Sequence, residues 1–197
     1  MAARLFYIRH GETAWALSGR HTGASDIPLT ARGEDEARAL RPWLEGRTFA
    51  AVFTSPRRRA MVTASLTGVA PASIIEPDLA EWDYGAYEGL TSAEICAKRP
   101  HWDLYRDGAP DGETPDDASR RADRLIDRLA TIAGDVALFG HGHFGRIFAA
   151  RWLGESVDFG RRLTLSTASL SILGDDPGHA GTRALLLWNA TPLRRWE

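Results

Sequence analysis

The chain has 197 residues, of which 44% are hydrophobic and 25% charged, and its formal net charge is -2 at pH 7. This length predicts one domain, 1–197, with a substantial core, and the charge excludes a global basic field that would recruit nucleic acid. The single cysteine, Cys96, excludes an intramolecular disulfide and a cysteine metal cluster. No run of about 18 apolar residues would span a membrane, and no signal peptide precedes the first strand pattern, so we expect a cytoplasmic protein.

Short apolar runs recur along the chain and predict six strands. They are 4–8, 49–53, 73–76, 136–139, 169–173 and 184–188. Only the turn-rich stretch 174–182 separates the last two strands, so we predict a hairpin that makes one edge of the sheet antiparallel.

Helical periodicity fills the segments between several of these strands. The first predicted helix begins at Thr30, a good N-cap, and continues to Leu44. Three more helices are predicted over 56–66, 116–132 and 144–153. Strands that alternate with helices indicate an α/β fold of three layers, with a mostly parallel central sheet, one antiparallel edge strand and helices on both faces. The stretch 99–115, rich in Pro, Asp and Gly, is predicted to be a long excursion of the kind that often covers a site.

Two predicted strands end in the same chemical pattern, an imidazole followed by glycine. The strand ends are Arg9-His10-Gly11 and Gly140-His141-Gly142-His143. Parallel strands end at one edge of a sheet, where α/β folds place their ligands, so we expect the two histidines to converge. A neutral His is a good nucleophile, and Arg binds phosphate or carboxylate with a rigid fork of donors. The alternative is a satisfied polar turn, which a single His-Gly pair would not exclude.

Two more polar groups follow predicted strands. The run Arg57-Arg58-Arg59 opens a helix after strand 49–53, and the start of a helix favours anions. Three consecutive arginines cannot all point to one place, so at most one is expected to face inward. Glu81, flanked by aromatic residues, is a candidate general acid, because partial desolvation favours its protonated form.

A metal site at His141 and His143 is the competing interpretation of the second cluster. Two imidazoles two residues apart do occur as metal ligands, but the sequence shows no third and fourth ligand at a recognisable spacing. The glycines and Phe144 favour a turn into a helix instead. We therefore predict no metal.

Four blocks, in chain order, resemble the histidine phosphatase superfamily, also called the phosphoglycerate-mutase-like family. They are Arg9-His10-Gly11-Glu12-Thr13, Ser55-Pro56-Arg57-Arg58-Arg59-Ala60, Glu81 ahead of Tyr84-Gly85, and His141-Gly142. The resemblance implies a phosphomonoester hydrolase that needs neither metal nor cofactor and acts on a small phosphorylated substrate. It implies His10 as the nucleophile that becomes phosphorylated and Glu81 as the proton donor. Arg9, Arg59 and a protonated His141 would complete the phosphate pocket.

Departures from the mutase pattern favour hydrolysis over mutase-type transfer. Ala16, Ala24 and Ser92 stand where a mutase resemblance would place Asn, Trp and Lys, and lost polar and cationic groups weaken retention of a bisphosphorylated intermediate. Mutase-type transfer stays an alternative, as does a phosphoprotein phosphatase or binding module.

The chain is also similar to the sedoheptulose-1,7-bisphosphatase branch of this superfamily. The similarity rests on 18–23, 26–30, 81–89 and 141–146. It implies a small sugar phosphate or bisphosphate as substrate. The candidate substrate contacts are Thr22, Gly23, Tyr84, Gly142, His143 and Arg146.

Overall fold

The structure, a computed structural model, describes residues 4–69 and 73–192. Within these ranges six strands form one sheet in the order β3-β2-β4-β1-β5-β6. The strands are β1 (Leu5–Arg9), β2 (Ala51–Thr54), β3 (Ile74–Ile75), β4 (Val136–Gly140), β5 (Leu170–Asp176) and β6 (His179–Ala190). Residues 1 and 197, the limits of the predicted domain, lie outside the described ranges, and the single-domain organisation stays a prediction.

The sheet is parallel except at one edge. β1 pairs in parallel with β4, β4 with β2, and β2 with β3. β5 runs antiparallel to β1 and to β6, which is the outermost strand. A short connection suffices between antiparallel neighbours, whereas parallel strands need a crossover. The predicted mostly parallel sheet with a hairpin at one edge is confirmed, and β5 is the strand that runs opposite to the others.

Eight α-helices surround the sheet in the described part of the chain. They are α1 (Ala14–Leu17), α2 (Ala31–Ala39), α3 (Arg41–Leu44), α4 (Arg58–Thr67), α5 (Ser92–Lys98), α6 (Leu104–Asp107), α7 (Pro115–Leu129) and α8 (Gly142–Trp152). Thr30 caps α2, with its hydroxyl accepting from Gly33 N at 3.0 Å. The predicted helix from Thr30 is divided into α2 and α3 because Pro42, at the start of α3, cannot continue the hydrogen bonds of α2.

Both faces of the sheet are covered, which gives the three predicted layers. Along β1, Leu5 and Tyr7 pack into a core cluster with α7 and α8, and Phe6 and Ile8 pack into a second cluster with residues of α3, α4 and the junction between α2 and α3. Side chains of a strand alternate between faces, so a continuous apolar run indicates burial on both sides. This burial holds the ends of β1 and β4 rigidly at the same edge.

The excursion 99–115 includes the short helix α6 and packs next to that edge. Trp102 and Tyr105 are both buried. The Trp102 ring lies 5.5 Å from the His21 ring, and the Tyr105 ring lies 5.8 Å from the His143 ring, as centroid distances. The segment therefore supports side chains that surround the sheet edge. No helix within the described residues is long and apolar enough to cross a bilayer.

Candidate active site

The two histidines that follow β1 and β4 meet at one edge of the sheet, as expected from the parallel pairing. Arg9 is in register with Gly140, and His10 N donates to Gly140 O at 3.0 Å. The ring centroids of His10 and His141 are 5.2 Å apart. Adjacent strands thus deliver two imidazoles and one guanidinium to the same place.

His10 is held in one orientation and is neutral. Its Nδ1 lies 2.7 Å from Gly11 O, so Nδ1 carries the proton and donates, and Nε2 keeps a lone pair. Burial holds the pKa of His10 well below its usual range, and the positive charges of Arg59 and Arg9 lower it further. A neutral imidazole with a free Nε2 is the form that can act as a nucleophile.

Arg59 is the arginine of the triple run that faces inward. It is fully buried, and its guanidinium donates to Ser25 O and Thr22 O at 2.8 Å and to Gly23 O at 3.1 Å. Its Nε lies 3.3 Å from His141 Nδ1. These bonds fix a positive charge beside the two histidines. Glycine at residue 23 is required by space, since a Cβ there would lie 2.5 Å from the carbonyl oxygen of Trp82.

His141 differs from the expectation of a protonated imidazole. Its Nε2 lies 2.6 Å from Ser55 Oγ, while Nδ1 faces a donor, Arg59 Nε. Nδ1 must therefore accept, and the ring proton lies on Nε2. Burial and the neighbouring Arg59 hold the pKa of His141 well below its usual range. His141 is therefore neutral, because burial disfavours the charged ring and Arg59 and Arg9 already place positive charge beside it. Ser55, which orients this ring, was not singled out from the sequence.

Glu81 is partly desolvated, as expected from its aromatic neighbours, but its carboxylate also lies among backbone donors. It is 9% exposed, and four backbone N–H groups donate to its carboxylate at 2.7 to 3.0 Å. The donors are the N–H groups of Trp82, Gly142, His143 and Phe144. Three of them belong to the first turn of α8, where N–H groups have no partner within the helix. The arrangement suits a carboxylate, since N–H groups donate to its lone pairs.

A cavity of about 190 Å³ opens at this edge of the sheet. Eight of the predicted site residues line it: Arg9, His10, Thr22, Glu81, Tyr84, Gly142, His143 and Arg146. Arg59, His141 and Gly23 do not line it, but lie directly beside those that do. The structure thus brings every sequence-predicted site residue into one neighbourhood. Their individual roles stay predictions.

The wall of the cavity distal to His10 is built from aromatic rings. The Tyr84 hydroxyl lies 2.7 Å from His143 Nδ1, and the His21 ring packs on the Tyr84 ring with centroids 4.7 Å apart. Burial raises the pKa of Tyr84 well above its usual range and lowers that of His143. Both groups are neutral, so the contact between the phenol and the imidazole is a hydrogen bond without a formal charge on either side.

Six further residues line the cavity and were not predicted as substrate contacts: Ala16, Gly19, Arg20, His21, Ser92 and Leu165. His21, Ser92 and Arg20 line the wall, and His21 Nε2 lies 3.3 Å from Ser92 Oγ. His21 lies in loop-like sequence with no periodic pattern. Its one signal is that it falls within the segment 18–23 on which the resemblance rests.

Comparison with known proteins agrees with this geometry. The family model of the histidine phosphatase superfamily (branch 1) matches residues 5–191. The chain belongs to the histidine phosphatase superfamily. The matched range includes both strand ends and every residue that lines the cavity. Members of this superfamily work through a phosphohistidine, and this chain is a phosphatase of the same kind.

Two curated relatives and one solved structure illustrate the similarity. An acid phosphatase of Mycobacterium tuberculosis is 39% identical over 180 residues, which cover 89% of this chain and 88% of the relative. A sedoheptulose 1,7-bisphosphatase of Saccharomyces cerevisiae is 34% identical over 190 residues, covering 80% and 70%. The solved structure of an open reading frame product from Mycobacterium tuberculosis has a TM-score of 0.90 at 38% identity, covering 96% and 98%.

Potential metal ligands are not clustered in the part of the chain that the structure describes. Within residues 4–69 and 73–192, no three His, Cys, Asp or Glu side chains are grouped so that they could hold a metal ion. His141 and His143, the pair considered from the sequence, have different partners. His141 Nε2 lies against Ser55 and His143 Nδ1 lies against Tyr84.

Proposed function

We propose that this histidine phosphatase hydrolyses the phosphomonoester of a small sugar phosphate through a phosphohistidine at His10. The observation that carries the proposal is the state of His10. The ring lines the cavity, and its Nδ1 donates to Gly11 O. Its Nε2 has no hydrogen-bond partner among the residues that the structure describes. Arg9 supports it, because its side chain belongs to the cavity wall and its buried Nε has no hydrogen-bond partner within the described residues.

In the first half-reaction, His10 Nε2 forms a bond to phosphorus and the bond from phosphorus to the leaving oxygen breaks. Arg9 and Arg59 supply positive charge beside the transferring group, where a preorganised cation stabilises the transition state more than water does. Glu81 gives a proton to the leaving oxygen.

In the second half-reaction a water molecule attacks the phosphohistidine. Glu81, now a carboxylate, takes a proton from this water while the bond between phosphorus and Nε2 breaks. The products are inorganic phosphate and neutral His10. The four backbone donors around Glu81 stabilise the carboxylate that this step requires.

The distal wall supports a sugar rather than an apolar alcohol as the leaving group. The ring faces of His21 and Tyr84 suit the C–H surface of a polyol, and Ser92, Thr22 and Arg20 offer polar groups to its hydroxyls. A volume of about 190 Å³ limits the substrate to a small molecule. The named function of the yeast relative, a sedoheptulose 1,7-bisphosphatase, is of this class.

Hydrolysis is favoured over mutase-type transfer by two residues of the same cavity. Ala16 and Ser92 both line it, at the positions where the mutase resemblance would place Asn and Lys. A short neutral side chain at each position offers little to retain a second anionic group, and the sugar product can leave before the phosphoryl group returns to it.

The proposal is tested by trapping the phosphoenzyme and by a panel of sugar phosphates and phosphopeptides, with a chelator present. His10→Ala is expected to abolish acid-labile labelling, while His179→Ala, which changes an exposed histidine, should label like the wild type. Labelling that persists in His10→Ala would overturn the nucleophile assignment. Turnover of phosphopeptides and of no sugar phosphate would contradict the proposed substrate class. Loss of activity in the presence of the chelator would contradict the metal-free mechanism.

The role of Glu81 is tested with two leaving groups. Glu81→Ala should slow the hydrolysis of a sugar phosphate about 10²- to 10⁴-fold, the usual size of general acid catalysis. Formation of the phosphoenzyme from p-nitrophenyl phosphate should slow much less, because nitrophenolate leaves without a proton. Equal losses for both substrates would show that Glu81 acts only by holding α8.

A further inference from the structure

The peptide group between Gly11 and Glu12 joins His10 to a buried carboxylate that lies outside the cavity. Its carbonyl, Gly11 O, lies 2.7 Å from His10 Nδ1. Its amide, Glu12 N, donates to Glu36 Oε2 at 3.0 Å. His10 and Glu36 therefore bind the two opposite ends of one planar peptide group.

We propose that Glu36 is a positioning residue that holds this peptide group so that His10 keeps its proton on Nδ1 and presents Nε2 for attack. The inference rests on the proposed role of His10 as the nucleophile. Glu36 does not line the substrate cavity and acts only through the backbone.

The position of Glu36 is well fixed. It lies on α2, is 8% exposed, and its other oxygen, Oε1, accepts from Arg32 Nε at 3.2 Å. The charged groups that face it are Arg32, whose side chain is 74% exposed, and Glu12, whose Oε2 lies 3.9 Å from the same Arg32 Nε. Glu36 therefore accepts the Glu12 amide with one oxygen and Arg32 with the other.

Close backbone packing leaves this loop little other freedom. A Cβ on Gly33, in the first turn of α2, would lie 2.1 Å from Glu12 O, and a Cβ on Gly11 would lie 2.1 Å from Gly33 O. On the other side, Gly11 N donates to Thr63 Oγ1 at 3.1 Å. The loop is thus held between α2 and α4, and Glu36 makes the charged contact from the α2 side.

The chemical consequence follows from hydrogen bonding within one peptide group. A carboxylate that accepts from the N–H makes a charge-assisted bond and polarises the C=O on the opposite side, which strengthens the bond from Nδ1–H. When Nε2 becomes bonded to phosphorus, the imidazole ring gains positive charge, and a more negative Gly11 O stabilises it. The same contact thus serves both the ground state and the phosphohistidine.

The test compares Glu36→Leu and Glu36→Gln, with Glu34→Gln on the partly exposed side of the same helix as control. Leucine removes the acceptor, whereas the glutamine side-chain oxygen can still accept the Glu12 amide. Glu36→Leu should lower kcat for p-nitrophenyl phosphate by about 10- to 100-fold, the usual size of losses at outer-sphere partners, with KM nearly unchanged. Glu36→Gln should recover most of the activity, and Glu34→Gln should match the wild type.

A second measurement does not depend on the folding of Glu36→Leu. Nitrogen NMR of the wild-type His10 ring should show protonated Nδ1 and unprotonated Nε2, and Glu36→Gln should retain this tautomer. A wild-type ring protonated on Nε2 would overturn the inference. So would full activity in Glu36→Leu while His10→Ala is not labelled, a result that leaves the proposed function intact. Labelling in His10→Ala would instead overturn the proposed function itself.

Discussion

The His21 imidazole should make the folded protein sensitive to acid. It is 6% exposed, it packs on the Tyr84 ring, and burial lowers its pKa to about 4, against a weaker opposing effect of Glu88. In the unfolded chain the pKa returns to about 6.5. The unfolded state therefore binds a proton that the folded state does not bind, over the range between these two values.

The sign and the magnitude follow from this difference. The stabilisation is fully present above pH 6.5 and is lost as the pH falls from 6.5 toward 4, because protons then favour the unfolded chain. Between pH 7.5 and pH 5, His21 alone should reduce the free energy of unfolding by ~2 kcal/mol. His10, His141 and His143 have lowered pKa values for the same reason, burial, and add to the effect in the same direction.

His21→Phe isolates the contribution of this one residue. Phenylalanine keeps a ring against Tyr84 and Trp102 and cannot be protonated. Urea unfolding at pH 7.5 and pH 5, followed by tryptophan fluorescence at matched m values, should show that the variant loses ~2 kcal/mol less than the wild type. His179→Phe, at an exposed position, should behave like the wild type. Equal losses in His21→Phe and the wild type would refute the argument.

Two further substitutions test contacts behind the site. Gly33→Ala places a Cβ 2.1 Å from Glu12 O. We expect this substitution to destabilise the protein by ~1–3 kcal/mol in a thermal or urea melt and to lower kcat. An unchanged kcat would show that the loop can move without loss of activity. Ser55→Ala removes the partner of His141 Nε2 and should lower the free energy of unfolding by ~1–3 kcal/mol, because a buried donor loses its acceptor. Ser55→Thr, which keeps the hydroxyl, serves as the control. Equal stability of both variants would contradict this interpretation.

Much of the fold could be predicted from apolar runs alone. The residues of β1 and β4 form continuous apolar segments, which predict buried parallel strands, and parallel strands end at one edge. The apolar pattern is therefore sufficient to place His10 and His141 at the same edge of the sheet, but the adjacency of β1 and β4 is known only from the structure. The division between α2 and α3 also has a signal in the sequence, Pro42, but the apolar periodicity that continues across it favours one longer helix.

The contacts that tune the site could not be predicted in the same way. Glu36 and Ser55 act through partners 24 and 86 residues away in the chain, and nothing in local periodicity indicates which helix face will dock on which strand end. The tautomer of His141 depends on the direction in which Arg59 points its Nε, and its neutral state depends on burial next to that cation. The hydrogen bonds of Glu81 could not be predicted either, because the first turn of α8 brings backbone donors that no side-chain pattern shows.

The position of Glu81 at the start of α8 has a consequence for how this enzyme can diversify. In many phosphate sites the backbone amides of a helix start bind the ligand directly, so the binding group is the same whatever the side chains are. Here a protein carboxylate already occupies those amides, and the ligand is left to guanidinium and imidazole groups. The phosphoryl group is therefore left to side chains, and a substitution at one of them can alter its binding while the start of α8 keeps its own hydrogen bonds.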